Sequence, residues 1–271
     1  MSSVISEPYA PPLDQFLALG QPALGTQNWL DYPGLGLRPE HVPELIRMAR
    51  DEDLLWASGE DPDVWAPVHA WRALGQLRAE AAVEPLLALL SAMGEDDWID
   101  GDLPIVFGMI GRAAVTALSA FLADSTREMW NRVAVVEALR EIAERDEAAR
   151  ADVVPPLVKG LEKWYRNDEV LNGYLIGVLA GLHAVEAAPL MEQAFAEERV
   201  DPFAYGDWED AQVALGLLAE RRTPRPRLQL APRFERRDAE PARSGHRGED
   251  ARAKSRRKMA RQSRKRNRRR R

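Results

Sequence analysis

Residues 68–90 read VHAWRALGQLRAEAAVEPLLALL, and this stretch decides the fold. Its first half is Ala-rich and ends in Leu74-Gly75-Gln76-Leu77; its second half opens near Ala81 and runs through Val83, Leu86, Leu87 and Leu90. Spacings of three and four place those side chains on one face of a helix, so the stretch predicts two short helices joined by a tight turn. A pair this short leaves an apolar face uncovered, and only a second pair stacked on it can cover that face. The pattern recurs. A small residue or proline precedes a leucine at Leu45, Leu86, Leu118, Leu157 and Leu190, at intervals of 41, 32, 39 and 33 residues. Arrays of helix pairs repeat at about that length.

The first helices of the pairs align as Trp71-Arg72-Ala73-Leu74-Gly75, Val135-Val136-Glu137-Ala138-Leu139, Gly177-Val178-Leu179-Ala180-Gly181-Leu182 and Val213-Ala214-Leu215-Gly216-Leu217. Glycine inside a helix costs up to ~1 kcal/mol, so its recurrence predicts close approach between helices. The expected fold is all-α, an α-α superhelix, with about five helix pairs over residues 41–220. A final helix is expected over 207–220, with Trp208, Ala211, Leu215 and Leu218 on one face. Residues 1–40 are broken by Pro8, Pro11, Pro12, Pro22, Pro33 and Pro39, and read as a Pro/Gly-rich cap that packs through Phe16, Trp29 and Tyr32. From residue 221 onward apolar residues thin out, and the chain reads as a disordered basic tail with some helix allowed in 249–265.

The stretch 68–90 resembles a HEAT-like repeat of the type found in phycobilin lyase subunits, and the resemblance extends in weaker form over 40–220. Residues 201–218, DPFAYGDWEDAQVALGLL, with the preceding AAPLMEQAFAEERV, are similar to an uncharacterised bacterial family of HEAT-like proteins. Some members of that family end in a SEC-C zinc motif. This chain has no cysteine and a polybasic tail stands in its place, so the resemblance implies a HEAT-like fold without that metal site.

Charge divides the chain in two. Residues 221–271 hold 22 Lys and Arg against five acids, a net of +17, which leaves 15 basic and 38 acidic residues in 1–220, a net of −23. An acidic body joined to a basic tail points to a separate electrostatic partner for each. The N-terminus lacks a basic start followed by an apolar stretch, and the apolar runs near 85–90 and 175–182 are far shorter than a membrane helix. A cytoplasmic protein with no membrane association is expected.

Chemistry is hard to place. Without cysteine, thiolate metal sites and cysteine nucleophiles are excluded. His41, His69, His183 and His246 are scattered and none opens the His-Glu pair of HEAT-like diiron enzymes; no Gly-x-Ser-x-Gly elbow occurs. No metal or cofactor is expected. In the cluster Glu95-Asp96-Asp97-Trp98-Ile99-Asp100-Gly101-Asp102, placing Gly101 at the sixth position of a calcium loop puts Trp98 at the third and Phe107 at the twelfth, which fails. The cluster reads instead as an inter-helix loop capping a helix that begins near Leu103. A HEAT-like DNA glycosylase needs a basic concave face, and 38 acids against 15 bases oppose it.

Two surfaces remain. Several of the eight tryptophans sit beside acids. They either fill gaps between stacked pairs or form an aromatic and acidic row that grips a basic protein partner, with Asp97, Trp98, Asp100, Trp208 and Asp210 as its expected contacts. In the tail, Arg252, Lys254, Arg256, Arg257, Lys258, Arg261, Arg264, Lys265, Arg266, Arg268, Arg269, Arg270 and Arg271 form an acid-free run. Its excess of Arg favours bidentate phosphate contacts, so RNA, DNA or a ribonucleoprotein is the expected partner, against the alternative of a solubilising extension. The tail can also bind its own acidic body. The expected function is a noncatalytic binding scaffold; the alternative is an enzyme or lyase-like accessory with Asp97, Asp100 and Asp210 in a groove.

Overall fold

A computed structural model describes residues 8–57, 61–93 and 96–225; the tail residues Arg252 to Arg271 expected to bind polyanions, and any helix in 249–265, lie outside the described residues. Among the described residues the chain is all-helical. Its α-helices are α1 (Val42–Ala49), α2 (Glu52–Leu55), α3 (Ala66–Gln76), α4 (Val83–Met93), α5 (Asp97–Ile110), α6 (Val115–Ala123), α7 (Met129–Arg145), α8 (Arg150–Leu161), α9 (Glu169–Gly181), α10 (Ala188–Ala196) and α11 (Trp208–Ala214).

Helices α3, α5, α7, α9 and α11 pack in succession as one inner layer, while α4, α6 and α8 pack as a second. The inner helices run parallel, because like ends meet. At the N-terminal ends Trp65 packs edge-on against Trp98, and Trp130 against Tyr174, with centroids 5.2 and 6.3 Å apart. At the C-terminal ends a Cβ on Gly75 would stand 3.2 Å from the Val106 backbone, and one on Gly108 would fall 2.6 Å from the Glu141 Cβ. His183, two residues past the end of α9, reaches the carbonyl of Ala214 at the end of α11 through Nδ1 at 2.8 Å. Of the glycines for which the sequence predicts close approach between helices, Gly75 alone meets a neighbouring helix: Gly177 faces the Tyr205 ring in a loop at 3.1 Å, and nothing lies within 4 Å of Gly181 or Gly216. Gly108, which the repeat pattern does not single out, shows the tightest helix-to-helix approach.

Each turn between an inner helix and the next outer helix carries an alanine with no exposure: Ala82, Ala114, Ala149 and Ala187. Four residues later stand Leu86, Leu118, Val153 and Met191, all fully buried. This spacing corrects the leucine register at two places: Val153 holds the position that the series gives to Leu157, which is buried one turn later, and Met191 fills the core position while Leu190 is only half-buried. Two helix boundaries also differ from expectation. Residues 96–102 of the acidic cluster are the N-cap and first two turns of α5 and not a loop, because the Asp96 carboxylate accepts from the Trp98 and Ile99 amides at 2.9 and 3.2 Å and starts the helix well before Leu103. The last helix stops at Ala214, ahead of the left-handed Gly216 (φ 75°), instead of running to 220.

Buried polar side chains on the inner helices tie down the connecting segments. The Arg72 guanidinium is 1% exposed; it donates to both oxygens of Asp102 on α5 at 2.6 and 3.2 Å and to the Ala23 carbonyl at 2.9 Å. Arg132 on α7 reaches the Leu122 carbonyl at the end of α6, and Asn172 on α9 reaches the Trp164 and Arg199 carbonyls. These carbonyls lie at helix ends and in loops, where no ladder satisfies them. The N-terminal segment is fastened in the same way. It forms four short 3-10 turns between Leu13 and His41, buries Phe16 and Tyr32 against His69 of α3, buries Leu37 as well, and lies over Arg72 through Trp29. His69 bridges it: Nε2 donates to the Gly20 carbonyl at 3.0 Å, which leaves Nδ1 to accept from the Tyr32 hydroxyl at 2.8 Å.

One apolar stretch, Trp98–Ala123, has the length and mean hydropathy (1.8) of a membrane-crossing helix, which the shorter runs noted in the sequence do not. Gly111, at φ 84°, breaks it after Ile110 into α5 and α6, and α5 is packed between α3 and α7.

Gly108→Ala forces α5 and α7 apart against a fixed Cβ, and is expected to lower stability by about 1–3 kcal/mol in urea unfolding. Burial lowers the His69 pKa, with Arg72 adding to the effect against the Gly20 carbonyl. The unfolded chain then takes up a proton below about pH 6.5 that the folded chain refuses, so stability falls as pH drops through that value. His69→Phe, although less stable throughout, is expected to lose less stability than the parent between about pH 7.5 and 5.5.

Candidate binding surface

Parallel inner helices bring their N-termini to one edge of the body, and those of α5, α7, α9 and α11 are each capped by an acid. Besides Asp96, the Glu128 carboxylate accepts from the Trp130 and Asn131 amides at 2.7 and 3.2 Å, Asp168 from the Val170 amide at 2.9 Å, and Asp207 from the Asp210 amide at 3.0 Å. Carboxylates are favoured there by the positive ends of the helix dipoles. The edge also carries exposed rings. Trp130 on α7 is 46% exposed and meets the edge of Tyr174 on α9. Phe203 is 59% exposed, on a loop tied to α9 by the Asp201 amide donating to the Glu169 carbonyl at 3.1 Å.

The residues expected from sequence fall differently. Trp98 is 6% exposed, between Trp65 and the Arg72 guanidinium, which lies 5.4 Å from its ring; it is a core residue and not an anchor for a partner. The early start of α5 is the reason, since it turns Trp98 inward against α3. Asp100 is half-buried in the first turn of α5, and the Asp97 side chain lies outside the described residues. Trp208 is half-buried against Phe195, with ring centroids 6.0 Å apart. Asp100 and Asp210 stand on α5 and α11, with α7 and α9 between them, so the five residues form no single site. Sequence reasoning passes over Trp130 and Tyr174 as a surface pair. Glu128-Met129-Trp130 repeats the acid-x-Trp spacing of Asp96-Asp97-Trp98, but nothing local separates the tryptophan that finds a covering neighbour from the one that does not.

Asp210 has a different task. The Arg221 guanidinium donates to both oxygens of Asp207 at 2.5 and 2.7 Å and stands 2.8 Å from Asp210. The Arg222 amide and the amide and hydroxyl of Thr223 donate to Glu209 at 3.2, 3.0 and 2.9 Å, and Arg225 donates to Asp210 at 3.1 Å. The hydrogen bonds from Arg221 hold the Asp207 carboxyl below the usual carboxylate range, and those from Thr223 do the same for Glu209. The opening residues of the segment assigned to the basic tail, Arg221 to Arg225, thus form a clasp on α11.

The opposite edge holds the C-terminal ends of α3, α5 and α7. A cavity of about 690 Å³ lies among them, lined by Gly75, Arg78, Met109, Arg112, Arg145 and Asp146 with their neighbours. Arg112 pairs with Asp152 at 2.5 Å and Arg145 with Glu141 at 2.9 Å. Cations suit this edge because the helix carbonyls end there.

Asp207→Asn with Asp210→Asn removes the charge that holds Arg221 and Arg225. Tryptic cleavage after Arg221 and Arg222 is expected to speed up several-fold at neutral pH, as read by mass spectrometry of the released tail.

No curated protein and no solved structure matches this chain. A family model described as a protein of unknown function, DUF1186, matches residues 37–228, which take in every α-helix from α1 to α11 and the clasp but leave out most of the N-terminal segment and the acid-free basic run. With most of its length covered by that match, the chain belongs to the DUF1186 family.

Proposed function

We propose that the chain is a noncatalytic binding scaffold, a HEAT-like superhelix whose acidic body takes a basic protein segment and whose tail takes nucleic acid or another polyanion. The repeated buried alanines and the parallel inner layer support the superhelical reading. The observation that carries the binding reading is the edge at which Glu128, Asp168 and Asp201 stand with the exposed rings of Trp130 and Phe203. Carboxylates and rings together suit an arginine or lysine side chain, because the charge finds a counter-ion and the guanidinium plane finds a ring face. The chain already uses this chemistry within itself: Arg47 lies 3.8 Å from the Tyr9 ring centroid and Arg72 4.4 Å from that of Trp29.

The tail's 13 bases in 251–271 suit a polyanion and, with no aromatic ring among them, read no base sequence. The cut that tests this falls after Arg225, since an earlier one would remove the clasp. Binding of a labelled single-stranded oligonucleotide to the full chain is expected to weaken by roughly three to five decades between about 50 and 200 mM salt, for about eight phosphates neutralised. The chain ending at Arg225 is expected not to bind. A flat salt response, or equal binding by both chains, overturns the polyanion reading.

A further inference from the structure

We infer that the occupant of the acidic, aromatic edge is the chain's own basic segment, residues 226–271, and that a polyanion competes it away. The inference rests on the proposed function and adds to it a named partner for the edge and a reason why the two binding activities are coupled.

The exit point is the first argument. Arg225, the last described residue, donates to Asp210 in the first turn of α11. That turn lies on the same edge as the N-terminus of α9, because the loop between them is pinned where the Asp201 amide meets the Glu169 carbonyl. The segment therefore leaves the body beside the exposed rings and not at the arginine-lined opposite edge.

Charge is the second. The 46 residues after Arg225 carry 19 Lys and Arg against five acids, while the body they leave is strongly acidic. Length is the third. From α11 past α9 to Trp130 on α7 is two helix spacings, about 20 Å at roughly 8–10 Å each. An extended chain covers that in about six residues, which leaves the rest of the segment free to add contacts. A tether this short holds the segment near the edge at an effective concentration of order millimolar, enough for weak cation–ring and ion-pair contacts to persist at low salt. Bidentate phosphate contacts to the same arginines are stronger, so a nucleic acid takes the segment off the edge and uncovers Trp130.

The absence of cysteine makes a direct test simple. Ser263→Cys carries one nitroxide spin label in the otherwise intact chain, and the indole N–H resonance of Trp130, assigned by its loss in Trp130→Phe, is the reporter. Docking predicts that the label broadens this resonance at about 20 mM salt, and that it recovers at about 500 mM salt or on adding a stoichiometric oligonucleotide. A resonance unaffected by the label at low salt overturns the inference. So does broadening that persists when labelled and isotope-enriched chains are different molecules, since that contact is between copies. Oligonucleotide binding is followed in the same samples, so loss of that binding, which sinks the polyanion reading, is distinguished from loss of docking.

Discussion

The close, parallel packing of α3, α5, α7, α9 and α11 is the constraint on which the other features rest. It needs backbones that approach until a side chain is too much: at Gly108 an added Cβ would meet the Glu141 Cβ on α7 at 2.6 Å, and at Gly75 it would stand 3.2 Å from the Val106 backbone on α5. Helices held this way are covered on both sides by their neighbours, which is why α3, α7 and α9 are buried almost all round and why α7 and α9 show little amphipathic contrast. The outer helices α4, α6 and α8 cover the remaining side.

Parallel packing also sorts charge. The inner N-termini lie at one edge and the C-termini at the other, so the acids that cap helices gather in one place. Arg199, Arg221 and Arg225 pair with acids of that same edge, while at the opposite edge arginines stand beside their own acids, Glu141, Asp146 and Asp152. Asp96, Glu128, Asp168 and Asp207 are separate capping residues in the chain, and they form one acidic rim because the helices they start are parallel. Arg78, Arg112 and Arg145 line the other rim. The clasp of Arg221 and Arg225 is a local case of the same electrostatics, in which bases just beyond α11 return to the acids at its start.

Much of the fold was legible because its signals are local. The run Leu86, Leu87 and Leu90 marks a helix face, and all three residues are buried. Val135 to Leu139 reads as helix for the same reason and lies within α7, whereas the stretches Gly177 to Leu182 and Val213 to Leu217 overrun α9, which ends at Gly181, and α11, which ends at Ala214. The sites were less legible. Trp98 and Trp130 each follow an acid by two residues, yet one is 6% and the other 46% exposed, since Trp65 and Arg72 cover the first while the second meets the edge of Tyr174. The start of α5 escapes a sequence reading because an acidic run looks like a loop until one of its members is seen to accept amide hydrogens.

Sequence alone determined the helical class, the apolar helix faces and the division into an acidic body and a basic tail, since periodicity and charge are properties of the chain taken in order. Tertiary structure decided which tryptophans are core and which are surface, where the capping acids converge, and that Arg221 and Arg225 return to Asp207 and Asp210. These depend on which residue lies across from which once helices pack, and no local pattern carries that information.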